Sequence, residues 1–190
     1  MDIVGRTAAR SAARRPVPQI IAPAGPAHAS AEDGVTALYH AHALGLIRLA
    51  HIMLGDRTAA EDVVQDAFFG LYRHWDGLTD TAKALTYLRS AVLNRCRNAL
   101  RQRYRDARHG DTPQVMESAE ATVLVGEENQ RVLAAIRALP DRQREALVLR
   151  FYLDLSQDET ARVMGISTGT VKSATSRAVA ALGRLLKEDS

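Results

Sequence analysis

From Val35 onward the chain repeats its apolar residues every three or four positions, the spacing of one helical face. Leu38, Tyr39, Leu46, Ile47, Leu49, Ala50 and Met53 share such a face, and Gly55-Asp56 is a plausible stop. The next stretch, AAEDVVQDAFFGLYRHW, carries a second stripe of Val63, Val64, Ala67, Phe68, Leu71 and Tyr72. Glu61, Asp62, Gln65 and Asp66 fall off that stripe. Asp76 to Lys83 reads as a loop. A third helix is predicted from about Ala84 to Tyr104, with Leu85, Leu88, Val92, Leu93 and Leu100 on its buried side. There is no period-two alternation of useful length, so the predicted fold class is all-α.

The pattern then breaks. From Gly110 to Gln130 there is no Lys or Arg, while Asp111, Glu117, Glu120, Glu127 and Glu128 are acidic and Pro113 and Gly126 interrupt any helix. Helical period returns at Val132 and runs nearly to the end. The chain therefore divides into two small helical domains, residues 34–106 and 130–187, joined by a flexible acidic linker, 107–129. Residues 1–33 lack helical period and read as a disordered Ala/Arg/Pro-rich tail. Arg14-Arg15 followed by PVPQIIAPAGPAHAS has the outline of a twin-arginine export signal, but its apolar part is short and broken by four prolines.

Within the second domain Ser156 stands three residues before Glu159, the capping-box spacing. It opens a short helix, Gln157 to Met164, which Gly165 ends. Ser167 or Thr168 can cap the next helix, expected from Thr168 to Leu186. Small Ala161 allows the two helices to cross closely, and Ile166 and Val171 are apolar where the pair must bury. This is a helix-turn-helix. The N-terminal end of such a second helix enters a DNA major groove, and here it offers Thr168, Thr170, Lys172, Ser173, Ser176 and Arg177.

Charge adds a second candidate. Net charge is only +3 over 190 residues, but the third helix, TYLRSAVLNRCRNALRQRYR, carries Arg89, Arg95, Arg97, Arg101, Arg103 and Arg105 with no acid until Asp106. Like charges on one helix repel unless an anion answers them, and the planar guanidinium suits phosphate. Asn94 and Asn98 lie among these arginines. The acidic positions around Asp62 and Asp66 would repel DNA, so they point to a protein partner.

Catalytic readings have little to stand on. The single cysteine, Cys96, excludes an internal disulfide and fits a reducing cytosol. Its arginine neighbours could lower its pKa, or it could simply pack. His40 and His42 are two apart and diverge on a helix, and with His51 they do not complete a metal shell. No Gly-rich phosphate loop, CxxC or Ser-His-Asp order is present, so no catalytic residue, metal or cofactor is assigned. No apolar run approaches the roughly 20 residues needed to span a bilayer.

Two separated motifs in this order resemble the extracytoplasmic-function (ECF) sigma factors of the sigma-70 superfamily, in the variant seen in actinobacterial sigma-E-like members. Asp62-Val63-Val64-Gln65-Asp66-Ala67-Phe68 is similar to the family's D-x-x-Q-[DE]-x-F signature for binding core RNA polymerase. Ala138-Leu139-Pro140 with Arg142-Gln143-Arg144-Glu145, then Leu155 to Glu159, Gly165 to Ser167 and Gly169 to Ser173, resemble its fourth region. The resemblance implies that Asp62, Gln65, Asp66 and Phe68 dock on the β′ clamp helices. It implies that the 76–83 loop with Arg89, Asn94, Arg95, Arg97, Asn98 and Arg101 holds the −10 element. Thr168, Thr170, Lys172, Ser173, Ser176 and Arg177 would read the −35 element. Further implied partners are the β flap and an anti-sigma factor, in the cytoplasm and without membrane insertion. The acidic linker would run near the RNA exit path of polymerase. Two departures stand out: Thr160 replaces a frequent Ile, and Ala174-Thr175 a frequent Arg-Leu. A helix-turn-helix regulator that does not bind polymerase core is the alternative.

Overall fold

The computed structural model describes residues 30–75, 80–108 and 127–188, and all regular structure among them is helical. Three helices form the first bundle: α1 (Ala31–Leu54), α2 (Arg57–Arg73) and α3 (Thr81–Arg108). The second bundle holds α4 (Glu127–Ala138), α5 (Asp141–Leu147), α6 (Gln157–Met164) and α7 (Thr168–Glu188). Between α5 and α6 the chain widens into a π-helical turn, Val148–Tyr152.

Helix α1 starts before the apolar period does. Ser30 caps it by accepting the Asp33 N–H at 3.1 Å, and Glu32 and Asp33 sit in its first turn, where the helix dipole favours negative charge. These polar residues carry no hydrophobic signal, which is why periodicity places the start at Val35. The Trp75 ring then packs against Gly34 so closely that a Cβ there would lie 2.0 Å from it. At the other end Gly55 takes a left-handed φ of 73° and its N–H returns to His51 O. Asp56 follows at once as the cap of α2, accepting the Ala59 N–H at 3.0 Å. The Gly-Asp pair thus turns the chain back, and α2 packs along α1. Their shared core with α3 includes Leu46, Leu49, Ala50, Met53, Val64, Ala67, Leu71, Leu88 and Val92.

Helix α3 is longer than its apolar stripe at both ends. Thr81–Lys83 are helical rather than part of the expected loop, and the first four loop residues, 76–79, lie outside the described residues, as do the tail 1–29 and most of the linker, 109–126. Glu127 and Glu128, read as linker, belong to α4. The continuous period predicted after Val132 is broken by Pro140, which opens α5, and by Asp154, whose φ of 49° is left-handed.

The two bundles are packed against each other. Leu93 of α3 is fully buried among Ala146, Leu149, Leu155, Ala161, Val163, Met164 and Val171 of the second bundle. Val148 of the second bundle sits in the core of the first. The C-terminal end of α1 receives Arg103 of α3 on Leu54 O at 2.8 Å and Arg144 of α5 on Met53 O at 2.9 Å. Cations there answer carbonyls that the helix itself leaves unpaired.

Candidate nucleic-acid interface

The helix-turn-helix is built from local chemistry. Ser156 Oγ accepts the Glu159 N–H at 3.2 Å, and Glu159 accepts the Ser156 N–H at 2.8 Å, closing the capping box. The bond to Ser156 holds the Glu159 carboxyl below its usual range. Gly165, at φ 65°, ends α6, and Ser167 caps α7 by accepting the Thr170 N–H at 3.2 Å. Val171 is fully buried between the helices. Thr168, Thr170, Lys172, Ser173, Ser176 and Arg177 are all exposed. Their hydroxyls are not equivalent: Thr170 Oγ1 shares a 2.8 Å bond with Ser167 Oγ, and Ser173 donates to Gly169 O at 2.6 Å.

The departures from the family pattern have structural counterparts. Thr160 is wholly buried, and its hydroxyl finds no partner among the described residues. Ala174 is buried against the second core, and the adjacent Thr175 hydroxyl is likewise buried without a partner among the described residues.

Helix α3 answers its like charges largely with protein. Arg97 forms a two-pronged pair with Glu145, Nε to Oε1 at 2.5 Å and Nη2 to Oε2 at 2.6 Å. Arg103 pairs with Asp56 at 2.8 Å. Arg95 donates to Asp66 O at 3.0 Å, with the Asp66 carboxylate 3.9 Å away. Arg89 is half-buried and its pKa is lowered by that burial, Glu159 opposing the shift. Arg101 reaches Arg97 O and Asn98 Oδ1 and stays exposed, with Asn94 and Asn98 beside it. Three of these charges thus have protein partners that the sequence did not reveal: Asp56, Asp66 and Glu145, 29 to 48 residues distant in sequence.

On α2, Asp62, Gln65 and Asp66 are exposed on one face. Phe68 is not with them. It is 5% exposed, in the first core, edge-on to Tyr39 with ring centres 5.1 Å apart. Its neighbour Phe69 is 62% exposed, with Tyr72 one turn on and the Arg73 guanidinium 5.9 Å from the Phe69 ring. Phe69 shares the face of Asp62, Gln65 and Asp66 by its seven-, four- and three-residue spacing. That spacing was available in the sequence. Tyr39 and Tyr72, expected on the buried stripes, are both exposed.

Cys96 is fully buried, and burial followed by the nearby Glu145 pushes its thiol up to about 12, the reverse of activation. Among the described residues no group of three or more His, Cys, Asp or Glu could hold a metal, and no helix is long and apolar enough to cross a membrane.

An open, hydroxyl- and cation-bearing recognition helix on one bundle, with an exposed acidic and aromatic face on the other, is the arrangement of a helix-turn-helix protein with a second, separate exposed surface. Residues 38–106 match the family described as Sigma-70 region 2, and residues 129–182 the one described as Sigma-70, region 4. The chain is 32% identical over 141 residues to the RNA polymerase sigma-E factor of Streptomyces avermitilis, covering 72% of this chain and 76% of that one. It is 34% identical over 151 residues to the ECF RNA polymerase sigma factor SigM of Mycobacterium tuberculosis, covering 78% and 75%. It is 31% identical over 169 residues to the ECF RNA polymerase sigma factor BldN of Streptomyces coelicolor, covering 86% of this chain and 64% of that relative. Among solved structures it resembles CnrH in complex with the cytosolic domain of CnrY, with a TM-score of 0.65 and 26% identity over 84% of this chain and 96% of that one. It also resembles RpoE in complex with the anti-sigma factor NepR from Bartonella quintana, with a TM-score of 0.61 and 27% identity over 84% and 99%. The chain belongs to the ECF RNA polymerase sigma factors of the sigma-70 family.

Proposed function

We propose that this chain is the promoter-recognition subunit of an RNA polymerase holoenzyme and works in the cytoplasm. The exposed face of α2, Asp62, Gln65, Asp66 and Phe69, docks on the polymerase core, with Phe68 holding that face from beneath. The second bundle reads the −35 element through the start of α7. Thr168, Lys172, Ser176 and Arg177 are the groups there with no bond inside the helix-turn-helix to give up. Helix α3 holds the −10 element through Arg89, Asn94, Arg95, Arg97, Asn98 and Arg101. Strand opening there costs a few kcal/mol for each base taken out of the stack, offset by pocket contacts and phosphate neutralisation.

The observation that carries this reading is the joint presence, in order, of the two matched regions, the second with its recognition helix open. An anti-sigma factor is the further partner the reading includes, since two structural relatives are complexes, one with the protein CnrY and the other with a named anti-sigma factor. The test is run-off transcription with purified bacterial core polymerase on pooled genomic fragments, sequencing the RNA 5′ ends. New start sites sharing two spaced elements are expected. Failure to bind core at all would overturn the reading in favour of a helix-turn-helix regulator.

A further inference from the structure

The contact between the two bundles is made by the same helix that is read as holding the −10 element. Arg97 is the central case. Its side chain is only 16% exposed; its Nε–Nη2 edge is taken by Glu145, a carboxylate 1% exposed, while Nη1 donates to Asn94 Oδ1 at 2.8 Å. A guanidinium fork closed on two anionic oxygens is also how Arg takes a phosphate. Around this pair, Ser90 of α3 donates to Val163 O of α6 at 3.0 Å, and Arg144 of α5 reaches Met53 O of α1. Leu93 and Val148 cross the boundary in opposite directions. Arg89 lies half-buried near Glu159 of α6. The contact thus spends two of the six residues proposed for the −10 element, while the recognition face of α7 stays exposed.

This arrangement cannot span a promoter. Elements at −10 and −35 are roughly 25 base pairs apart, about 85 Å of duplex at 3.4 Å per pair. A compact body of this size has a radius of gyration of only about 14–15 Å. The 18 residues between Arg108 and Glu127 can extend to about 60 Å, so chain length permits the bundles to separate.

We propose that Glu145 acts as an intramolecular stand-in for DNA phosphate, latching the second bundle over α3 so that the free protein is closed to single-stranded DNA until the bundles part. Its consequence for promoters rests on the sigma-factor reading above, whereas the latch itself does not. The pair favours closure only while the bundles touch, because on opening both ions regain water; removing one partner leaves the other buried in the closed form with a single remaining contact, Asn94 for Arg97 or Arg142 at 3.4 Å for Glu145. DNA affinity of the free chain is then reduced by the fraction that is open.

The experiment measures binding of a fluorescent, random-sequence single-stranded 25-mer to the full chain at fixed salt, without polymerase. Glu145→Gln should tighten binding on the order of tenfold, the worth of a charge-assisted hydrogen bond. That variant also removes a negative charge near the DNA, so Ser90→Ala is the deciding companion. It changes no charge, removes only the bond to Val163 O, and should tighten binding about threefold. Tightening by Glu145→Gln with none by Ser90→Ala would reduce the effect to net charge and overturn the latch. So would unchanged affinity in both variants with helix content intact by circular dichroism. Because polymerase and promoter are absent, failure of the sigma-factor reading would leave this result unaffected.

Discussion

Two adjacent phenylalanines on α2 provide the sharpest test of the docking face. Phe68 is 5% exposed in the core and Phe69 is 62% exposed beside Asp62, Gln65 and Asp66. Truncating a buried Phe to Ala removes its transfer energy and leaves a cavity, together about 3–5 kcal/mol. At a urea slope of about 2 kcal/mol/M, Phe68→Ala should lower the unfolding midpoint by about 2 M. Phe69 stands mostly in solvent with the Arg73 guanidinium near its ring, so Phe69→Ala should change stability by less than about 0.5 kcal/mol. If Phe69 is an anchor of the docking face, its loss should cost at least about 2 kcal/mol of binding, roughly thirtyfold in Kd. The assays are urea denaturation of each variant and titration of labelled protein with core polymerase, without DNA. Phe68→Ala at native stability, or Phe69→Ala binding core as tightly as the parent, would refute the assignment of these two side chains to core and surface.

Three further outcomes follow from single groups. Thr160→Val replaces a buried hydroxyl that has no partner by a methyl of the same shape, and should raise stability by about 1–2 kcal/mol in urea denaturation. Lys172→Ala should weaken DNA binding across all sequences and reduce the slope of log K against log salt by about one, read by titration at several salt concentrations. His51 is held below its ordinary pKa of 6.5 by burial, then by Arg137 and more weakly Arg57, with Asp56 opposing. The unfolded chain therefore takes up the proton first, so stability should fall as pH drops through and below 6.5. His51→Gln should flatten that part of the pH profile.

What could be read from the chain was chemistry that closes over a few residues. The capping box at Ser156 and Glu159, the left-handed stop at Gly165 and the exposed recognition positions of α7 all rest on partners within four positions, so their spacing declares them. On the Arg-rich helix, the pairing of the charges within the protein was not legible, for the opposite reason. Its charges looked unanswered because Asp56, Asp66 and Glu145 are far away in sequence and reach it only through the tertiary fold. Glu145 left one trace, a lone acid running into Ala146-Leu147-Val148-Leu149, and an acid in an apolar run needs a partner. For Cys96, of the two readings the sequence left open, the packing one holds. Residues one apart on a helix do not face each other, so its arginine neighbours do little to hold a thiolate, and desolvation decides.

The closed arrangement also makes the two DNA-facing surfaces unequal, and that inequality can be measured. The start of α7 is exposed whether or not the bundles touch, whereas Arg97 and Ser90 are engaged across the boundary. Binding of duplex DNA through α7 needs no opening; binding of a single strand through α3 does. A ligand with equal affinity for both forms shifts nothing, so loosening the latch should leave duplex affinity nearly constant while single-strand affinity rises with the open fraction. The measurable quantity is the ratio of the two affinities in Ser90→Ala against the parent chain, since no charge differs between them. An unchanged ratio with both affinities raised would mean that both DNA faces are gated together, and with neither raised that there is no latch; in either case burial of Arg97 against Glu145 does not select which strand form the free protein meets first.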